Sequence, residues 1–263
     1  GGLISATLAT RIGTQNLFFF TVFIYFFLFL SYQMAIRQNK NAATFQESFS
    51  ASGVKLSSVV SLIKNSKLLL FVLCIVLLMQ ISVAFVDYQF NIFVENAIPT
   101  VDKRTQYMGW LLSVTNGCTV FLQFFGTFFF LQRFGLKKSH LLVPVLLNVN
   151  AIFLLLFPSF SVAACSFATI KTMDYSFFTV IREMLYIPMK LDEKFRAKAV
   201  IDVFVYRSAK AFASVFLLIV QIFLPINILL LTGCMSIVVF CCWIFVVFYM
   251  FRHYERQVEP EAG

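Results

Sequence analysis

The chain has 263 residues, with 21 Lys+Arg against 12 Asp+Glu and a formal net charge of +9. It is 60% hydrophobic, contains 35 phenylalanines and is only 13% charged, which is more apolar surface than a single water-soluble core of this length hides. A soluble enzyme is excluded, and the basic excess speaks to membrane topology before nucleic acid, because Lys and Arg gather on cytoplasmic loops.

A membrane-crossing helix needs roughly 20 mostly apolar residues. Seven stretches meet that condition in chain order: Asn16–Ile36, Leu68–Val86, Thr105–Gln132, Ser139–Phe157, Ser161–Pro188, Ala199–Leu224 and Ile226–Phe251. Helix is the expected form, since backbone amides in lipid have to pair within the segment. Pro158-Ser159-Phe160 and Pro225 are too short to be anything but tight joints between neighbouring spans, proline being unable to continue the helix ladder. Between the first two spans, Gln38 to Lys64 is polar and Ser-rich, with Val59, Val60 and Leu62 near its end. It reads as a cytoplasmic linker, either a solvated tether or a carrier of a short surface helix.

Loop charge alternates. Arg37 to Lys67 holds five basic residues and one acid, Arg133 to Lys138 three and none, and Arg182 to Lys198 five and three. These mark the inside. The stretch Asp87 to Arg104 holds three acids and two bases and the proline joints none, so they mark the outside. The C-terminus is then cytoplasmic and Gly1 outside. Gly1 is not a start methionine and no cleavable signal precedes the first span, so the chain is expected to be truncated. Helices built as two six-helix halves around an inner linker give this layout. On that basis residues 1–36 are the last helix of an N-terminal half, 37–67 the linker, 68–251 the C-terminal six-helix half, and 252–263 a cytoplasmic tail. The expected fold is an all-α polytopic membrane protein.

Cys74, Cys118, Cys165, Cys234, Cys241 and Cys242 all fall inside apolar runs, where cysteine behaves as a small hydrophobe. His140 and His253 have no ligand pattern around them. Neither a phosphate-cradling glycine loop nor a nucleophile elbow occurs. No catalytic site, metal or cofactor is expected.

Three basic residues are placed where topology does not ask for them. Lys171 lies ten residues into the fifth span, about 15 Å deep at the helical rise, and Lys210 lies eleven into the sixth. Asp174 and Arg207 share a helix face with them, at three-residue spacing. A lone cation at mid-membrane costs about 3 kcal/mol or more, so such side chains turn inward to a partner or a wet cavity. Lys171 with Asp174, and Asp202 with Tyr206 or Arg207, supply a purely structural pairing. Beyond that pairing the inventory Lys171, Arg207 and Lys210 against Asp174, with Asp202 at the inner rim, still leaves positive charge in excess. A phosphate- or carboxylate-bearing solute fits that excess. Arg182 and Glu183, at the cytoplasmic mouth, are candidates for a gating pair. Asp87, at the outer end of the second span, is expected to be an interface residue, and the many phenylalanines lipid-facing bulk.

The stretch Tyr175-Ser176-Phe177-Phe178, followed by Arg182-Glu183-Met184-Leu185-Tyr186-Ile187-Pro188, resembles the Tyr-Ser-Leu-Phe and Lys-Glu-Met-Ala-Tyr-Ile-Pro motifs of the ATP/ADP translocases of intracellular bacteria and plastids, which are related in architecture to the major facilitator superfamily. Lys198-Ala199-Val200-Ile201-Asp202 is similar to that family's Lys-Ala-Ala-Ile-Asp, and Lys210 falls where the family has the lysine of Leu-Gly-Lys-Ser-Gly-Gly. Thr179 stands where the family commonly has Asp, the glycines beside Lys210 are replaced in Ser208-Ala209-Lys210-Ala211-Phe212-Ala213, and the charged run of the family's seventh helix is nearly uncharged in Val83 to Gln89. The resemblance implies a twelve-helix nucleotide antiporter, not an enzyme, working by alternating access in a plasma (inner) membrane, with Lys210 a phosphate-binding residue. The partners implied are a nucleotide or other anionic small molecule, the lipid bilayer and the missing N-terminal half, with no nucleic acid. The expected substrate-binding residues are Lys171, Lys210, Arg207, Asp174 and Asp202. The alternatives are a carrier of sugar phosphates or carboxylates, a seven-helix receptor and a degenerate homologue with a structural role.

Overall fold

The structure, a computed structural model, describes residues 2–38, 66–187, 194, 197–198, 201, 205–223 and 227–258. Asp202, the linker from 39 to 65 with its expected surface helix, and the Pro225 joint lie outside the described residues. Among the described residues the fold is all-helical: α1 Gly2–Ile12, α2 Thr14–Gln38, α3 Lys67–Ala97, α4 Val101–Phe121, α5 Thr127–Leu156, α6 Phe160–Met173, α7 Thr179–Leu185, α8 Tyr206–Phe223 and α9 Ile228–Val258. Two π-helical turns, Leu122–Gly126 and Asp174–Phe178, join α4 to α5 and α6 to α7 without a break.

Short polar residues set the helix starts. Ser66, Ser159 and Asn227 each accept a backbone N–H from the first turn that follows: Leu69 N–H to Ser66 Oγ at 3.4 Å, Val162 N–H to Ser159 Oγ at 3.4 Å, and Leu229 N–H to Asn227 Oδ1 at 3.2 Å. These are N-caps that occupy donors a helix end leaves open. The Pro158 joint is therefore a genuine helix boundary, ended by Phe157 and restarted by Ser159.

Among the described residues five helices are long and apolar enough to cross a membrane, over Thr14–Ile36, Lys67–Ala97, Val101–Leu156, Tyr206–Phe223 and Ile228–His253, against seven expected spans. Two features explain the difference. Val101–Leu156 is a single helical run of 56 residues, about 84 Å at 1.5 Å per residue. That is far more than one bilayer thickness, and the run is interrupted at Gly135, whose φ of 71° and ψ of 174° are not helical. Gly135 sits in the basic turn Arg133 to Lys138, between the third and fourth expected spans. A left-handed φ there is one that glycine alone adopts freely. The fifth expected span is α6, a π turn and α7 in succession, so its continuous α-helical part is short.

α3 differs more. The second span was expected to end at Val86, yet the helix runs on to Ala97, stopping only before Ile98-Pro99. Nothing from Asp87 to Ala97 is a helix breaker. The polar residues there lower hydropathy without disturbing the backbone.

The molecule divides into two units. In the first, residues 1–59 and 98–113, α1 was not anticipated. It packs its small residues Gly2, Ala6 and Ala9 inward, and a Cβ at Gly109 of α4 would lie 2.6 Å from the Ala6 nitrogen and 2.7 Å from the Gly2 carbonyl oxygen. Small residues four apart on both helices permit that approach, the usual way membrane helices meet closely. Gly13, with φ of 86°, separates α1 from α2, and Thr14 then donates both its N–H (2.8 Å) and its hydroxyl (2.6 Å) to Asp102 Oδ1.

In the second unit, residues 60–97 and 114–263, α3 is the hub. It packs against α6, α8 and α9, and α9 also packs along α5. The α3–α8 contact is built from Ala84, Phe85, Ala213 and Leu217, with Met235 and Val239 of α9 closing over it. α8 turns Ala209, Ala213, Leu217 and Val220 inward, a three- and four-residue repeat that defines one apolar face. Few polar links cross the bundle. Gln89 of α3 donates to Thr232 of α9 at 3.2 Å, Ser166 of α6 to Asn150 of α5, and Lys67 meets His253 at 3.2 Å.

Candidate functional site

The hub places polar residues of three helices at one level. Asp87 lies ten residues before the end of α3 at Ala97, Lys171 eleven after the start of α6 at Phe160, and Lys210 thirteen before the end of α8 at Phe223. At the helical rise these are depths of about 15–20 Å, near the middle of a bilayer. The three side chains meet there. Lys171 Nζ lies 2.8 Å from Asp87 Oδ2, and Lys210 Nζ lies 3.5 Å from the same oxygen.

Two of the expected cations thus converge, on an acid the sequence did not single out. Asp87 is a partner within the bundle, not the interface residue expected, because α3 continues ten residues beyond it. The expected Lys171–Asp174 bridge is replaced by Lys171–Asp87. One carboxylate oxygen serves two ammonium groups of unequal accessibility: the Lys171 side chain is 8% exposed, that of Lys210 44%. Asp87 Oδ1 is buried with no hydrogen-bond partner among the described residues.

Asp174 has other company. Its Oδ2 accepts the Tyr206 hydroxyl at 3.0 Å and its Oδ1 the Gln80 amide at 3.5 Å, and the residue is only 3% exposed. The Tyr206 hydroxyl, expected as a partner for Asp202, donates to Asp174; Asp202 itself lies outside the described residues. Gln80 and Asp87, seven apart on α3, share a face, as do Lys171 and Asp174 of the fifth span and Tyr206 and Lys210 on α8. Each helix contributes one residue to each of two layers. The layer toward Ala97 holds Asp87, Lys171 and Lys210, and the layer below it holds Gln80, Asp174 and Tyr206.

The lower layer stands on a local distortion. Asp174–Phe178 is a π turn, and Thr179 donates its hydroxyl to the Asp174 carbonyl five residues back at 2.6 Å. A widened turn leaves a carbonyl without its α-helical partner, which this hydroxyl takes up, and such turns recur at functional sites. Leu122–Gly126 repeats the device, with Thr127 donating to the Leu122 carbonyl at 3.1 Å. The two π turns pack on one another.

Above the upper layer, Phe90 and Phe167 stack with ring centroids 4.4 Å apart, and the Lys171 ammonium lies 5.3 Å from the Phe167 ring. The pair is almost wholly buried and roofs the ion cluster one turn toward the end of α3 at Ala97. These two rings line the ion cluster, whereas Phe124, Phe125, Phe128 and Phe129 are exposed, as lipid-facing bulk is expected to be.

Of the other expected residues, Arg207 is exposed one turn before Lys210, not among the contacts of the cluster. Arg182 is buried, with its guanidinium 5.9 Å from the Phe178 ring. Glu183 makes its ion pair with Lys198 at 2.8 Å. Two cavities open elsewhere. One of about 190 Å³ lies among Gln89, Leu155, Asn227 and Gly233, and another of about 280 Å³ among Phe130, Phe134, Lys138 and Leu142.

Residues 160–254 match the family described as TLC ATP/ADP transporter. No curated protein and no solved structure matches the chain. The matched segment carries Lys171, Asp174, Tyr206 and Lys210 and stops short of Asp87 and Gln80. It supports a nucleotide transporter of the ATP/ADP type, and with the long apolar helices it supports an integral membrane protein.

Proposed function

We propose that the chain is the C-terminal part of a nucleotide transporter similar to the family that residues 160–254 match, and that it exchanges ATP and ADP by alternating access. The observation that carries the reading is the fork: lysines from two different helices, both at mid-membrane depth, reach a single carboxylate oxygen. Two ammonium groups facing one point are a receptor for a negatively charged oxygen, and in a low-dielectric setting such charge-assisted contacts are strong. A terminal phosphate offers three such oxygens. Lys171 and Lys210 hold it, Asp87 and Asp174 balance charge when the site is empty, Asp202 does so at the inner rim, and Arg207 meets the cargo from the exposed side. Arg182, Glu183 and Lys198 form the inner gate region.

In this reading the spans number seven, counting the break at Gly135 and the α6–α7 segment. The six from α3 onward form one half of a twelve-helix carrier in a plasma (inner) membrane, with the basic turn around Gly135 and the C-terminus on the cytoplasmic side. A second reading has a specific basis too. What occupies the fork is a carboxylate, so a carboxylate-bearing cargo satisfies the same geometry.

The test is exchange in liposomes. The full-length carrier that contains this chain, reconstituted in liposomes loaded with ADP, takes up labelled ATP, and Lys210→Gln and Lys171→Gln each cut that uptake by about a hundredfold, the loss of a charge-assisted contact in a dry site. Uptake of dicarboxylates with no ATP exchange selects the second reading, and unchanged ATP uptake in both variants removes the site.

A further inference from the structure

We infer that Asp87 is a built-in substitute for the cargo's anionic group, and that it sets how tightly the carrier holds that cargo. The inference rests on the anion-site reading above and adds a role that neither the family match nor the lysines by themselves supply.

The geometry gives three grounds. The Asp87 carboxylate occupies the point where Lys171 and Lys210 converge, at 2.8 and 3.5 Å, so an incoming phosphate oxygen that uses both lysines competes for that same place. The attachment is lopsided. Lys171, almost fully buried, holds Asp87 at short range, while Lys210 holds it at longer range and is nearly half exposed. Lys210 is therefore the lysine that an entering anion reaches first and detaches most easily. Finally, Asp87 Oδ1 is buried without a hydrogen-bond partner among the described residues. Asp174, in the layer below, engages both its oxygens, with Tyr206 and Gln80. Asp87 is tied by one oxygen alone, to the two groups that the cargo needs.

A tethered carboxylate competes at a high effective concentration that no dissolved carboxylate matches. A singly charged anion gains little by replacing it, whereas a phosphate group bearing more charge on three oxygens gains more. Since Asp87 remains on its helix beside the occupied site, its repulsion also helps the cargo leave. Weak holding and fast release are what a carrier needs, because affinity that is equal at every stage slows turnover.

The experiment measures ATP binding and ATP/ADP exchange by the full-length carrier that contains this chain, with Asp87→Asn and Asp87→Ala. Removing one charged competitor tightens ATP binding by about tenfold in either variant and lowers the maximal exchange rate together with the half-saturating ATP concentration. In Asp87→Ala, acetate at tens of millimolar occupies the vacated place and weakens ATP binding, an effect absent from the wild type and from Asp87→Asn. Unchanged or weaker ATP binding by folded Asp87→Asn, with no acetate effect in Asp87→Ala, overturns the inference and leaves Asp87 a structural counter-ion. If Asp87→Asn does not fold, Asp87→Ser, which is smaller and also uncharged, takes its place with both lysines kept and is likewise expected to tighten ATP binding; no tightening there overturns it. The two failures are distinguishable. Wild-type binding that Lys210→Gln weakens, combined with an indifferent Asp87→Asn, sinks only the role of Asp87. Absence of ATP binding by the wild type sinks the anion-site reading and this inference with it.

Discussion

Asp87 and Asp174 are two carboxylates in one three-helix contact, a few ångströms apart in depth, and they keep opposite company. Asp174 is 3% exposed and held through both oxygens by neutral donors, the Tyr206 hydroxyl and the Gln80 amide. Asp87 is held through one oxygen by two cations. Neutral donors arranged around a carboxylate make a fixed joint, because none of them has a reason to leave for a solute. Cations sharing a carboxylate make an exchangeable one, because a stronger anion serves them better. Burial alone does not tell the two apart; the partners do.

The comparison breaks if the two layers respond alike to substitution. The largest effect is expected from Lys171→Gln. It strips Asp87 of its close partner in a buried setting, costs about 3 kcal/mol of stability, as breaking a buried ion pair does, and cuts nucleotide exchange by about a hundredfold; thermal unfolding in detergent and liposome uptake read the two losses. Asp174→Ala comes next. It leaves the Tyr206 hydroxyl and the Gln80 amide without their acceptor at a cost of about 2 kcal/mol, seen as a lowered unfolding temperature, with ATP affinity falling only as far as the fold is loosened. Tyr206→Phe removes one hydrogen bond from the lower layer and is expected to cost about 1 kcal/mol while leaving the half-saturating ATP concentration within twofold of the wild type. Thr179→Val is smallest. It frees the Asp174 carbonyl at the π turn for a few tenths of a kcal/mol up to about 1, and Thr127→Val at the matching turn gives the same stability loss with no change in exchange. Equal transport defects at those two threonines would mean that the π turns, and not the side chains of Asp174 and its neighbours, matter to the site.

Composition and charge were enough to show an all-helical membrane protein, and the depth of Lys171 and Lys210 was legible from the length of the apolar runs alone. That both belong to one site was also legible, since an ammonium at mid-membrane has to find a partner. Asp87 was not, because hydropathy falls after Val86 and a span was closed there, although nothing between Asp87 and Ala97 stops a helix. Its seven-residue spacing from Gln80 was the signal that places both on one face. α1 is not marked as a span because its 11 residues are too few to cross a bilayer; Gly2, Ala6 and Ala9 at helical intervals are its trace. The π turns left a weaker mark, a threonine closing each, and the Phe90–Phe167 roof none, since aromatic residues abound everywhere in this chain. The pairing of Glu183 with Lys198 joins residues fifteen apart, a distance that helix periodicity alone does not predict.

The most direct measurement is ATP binding to four forms of the full-length carrier that contains this chain: wild type, Lys171→Gln, Lys210→Gln and the double variant, treated as a thermodynamic cycle. If both lysines grip one phosphate group, each single variant loses nearly as much affinity as the double, because half a fork is little better than none. Losses that simply add, or single variants that bind ATP as the wild type does, contradict a shared anion site.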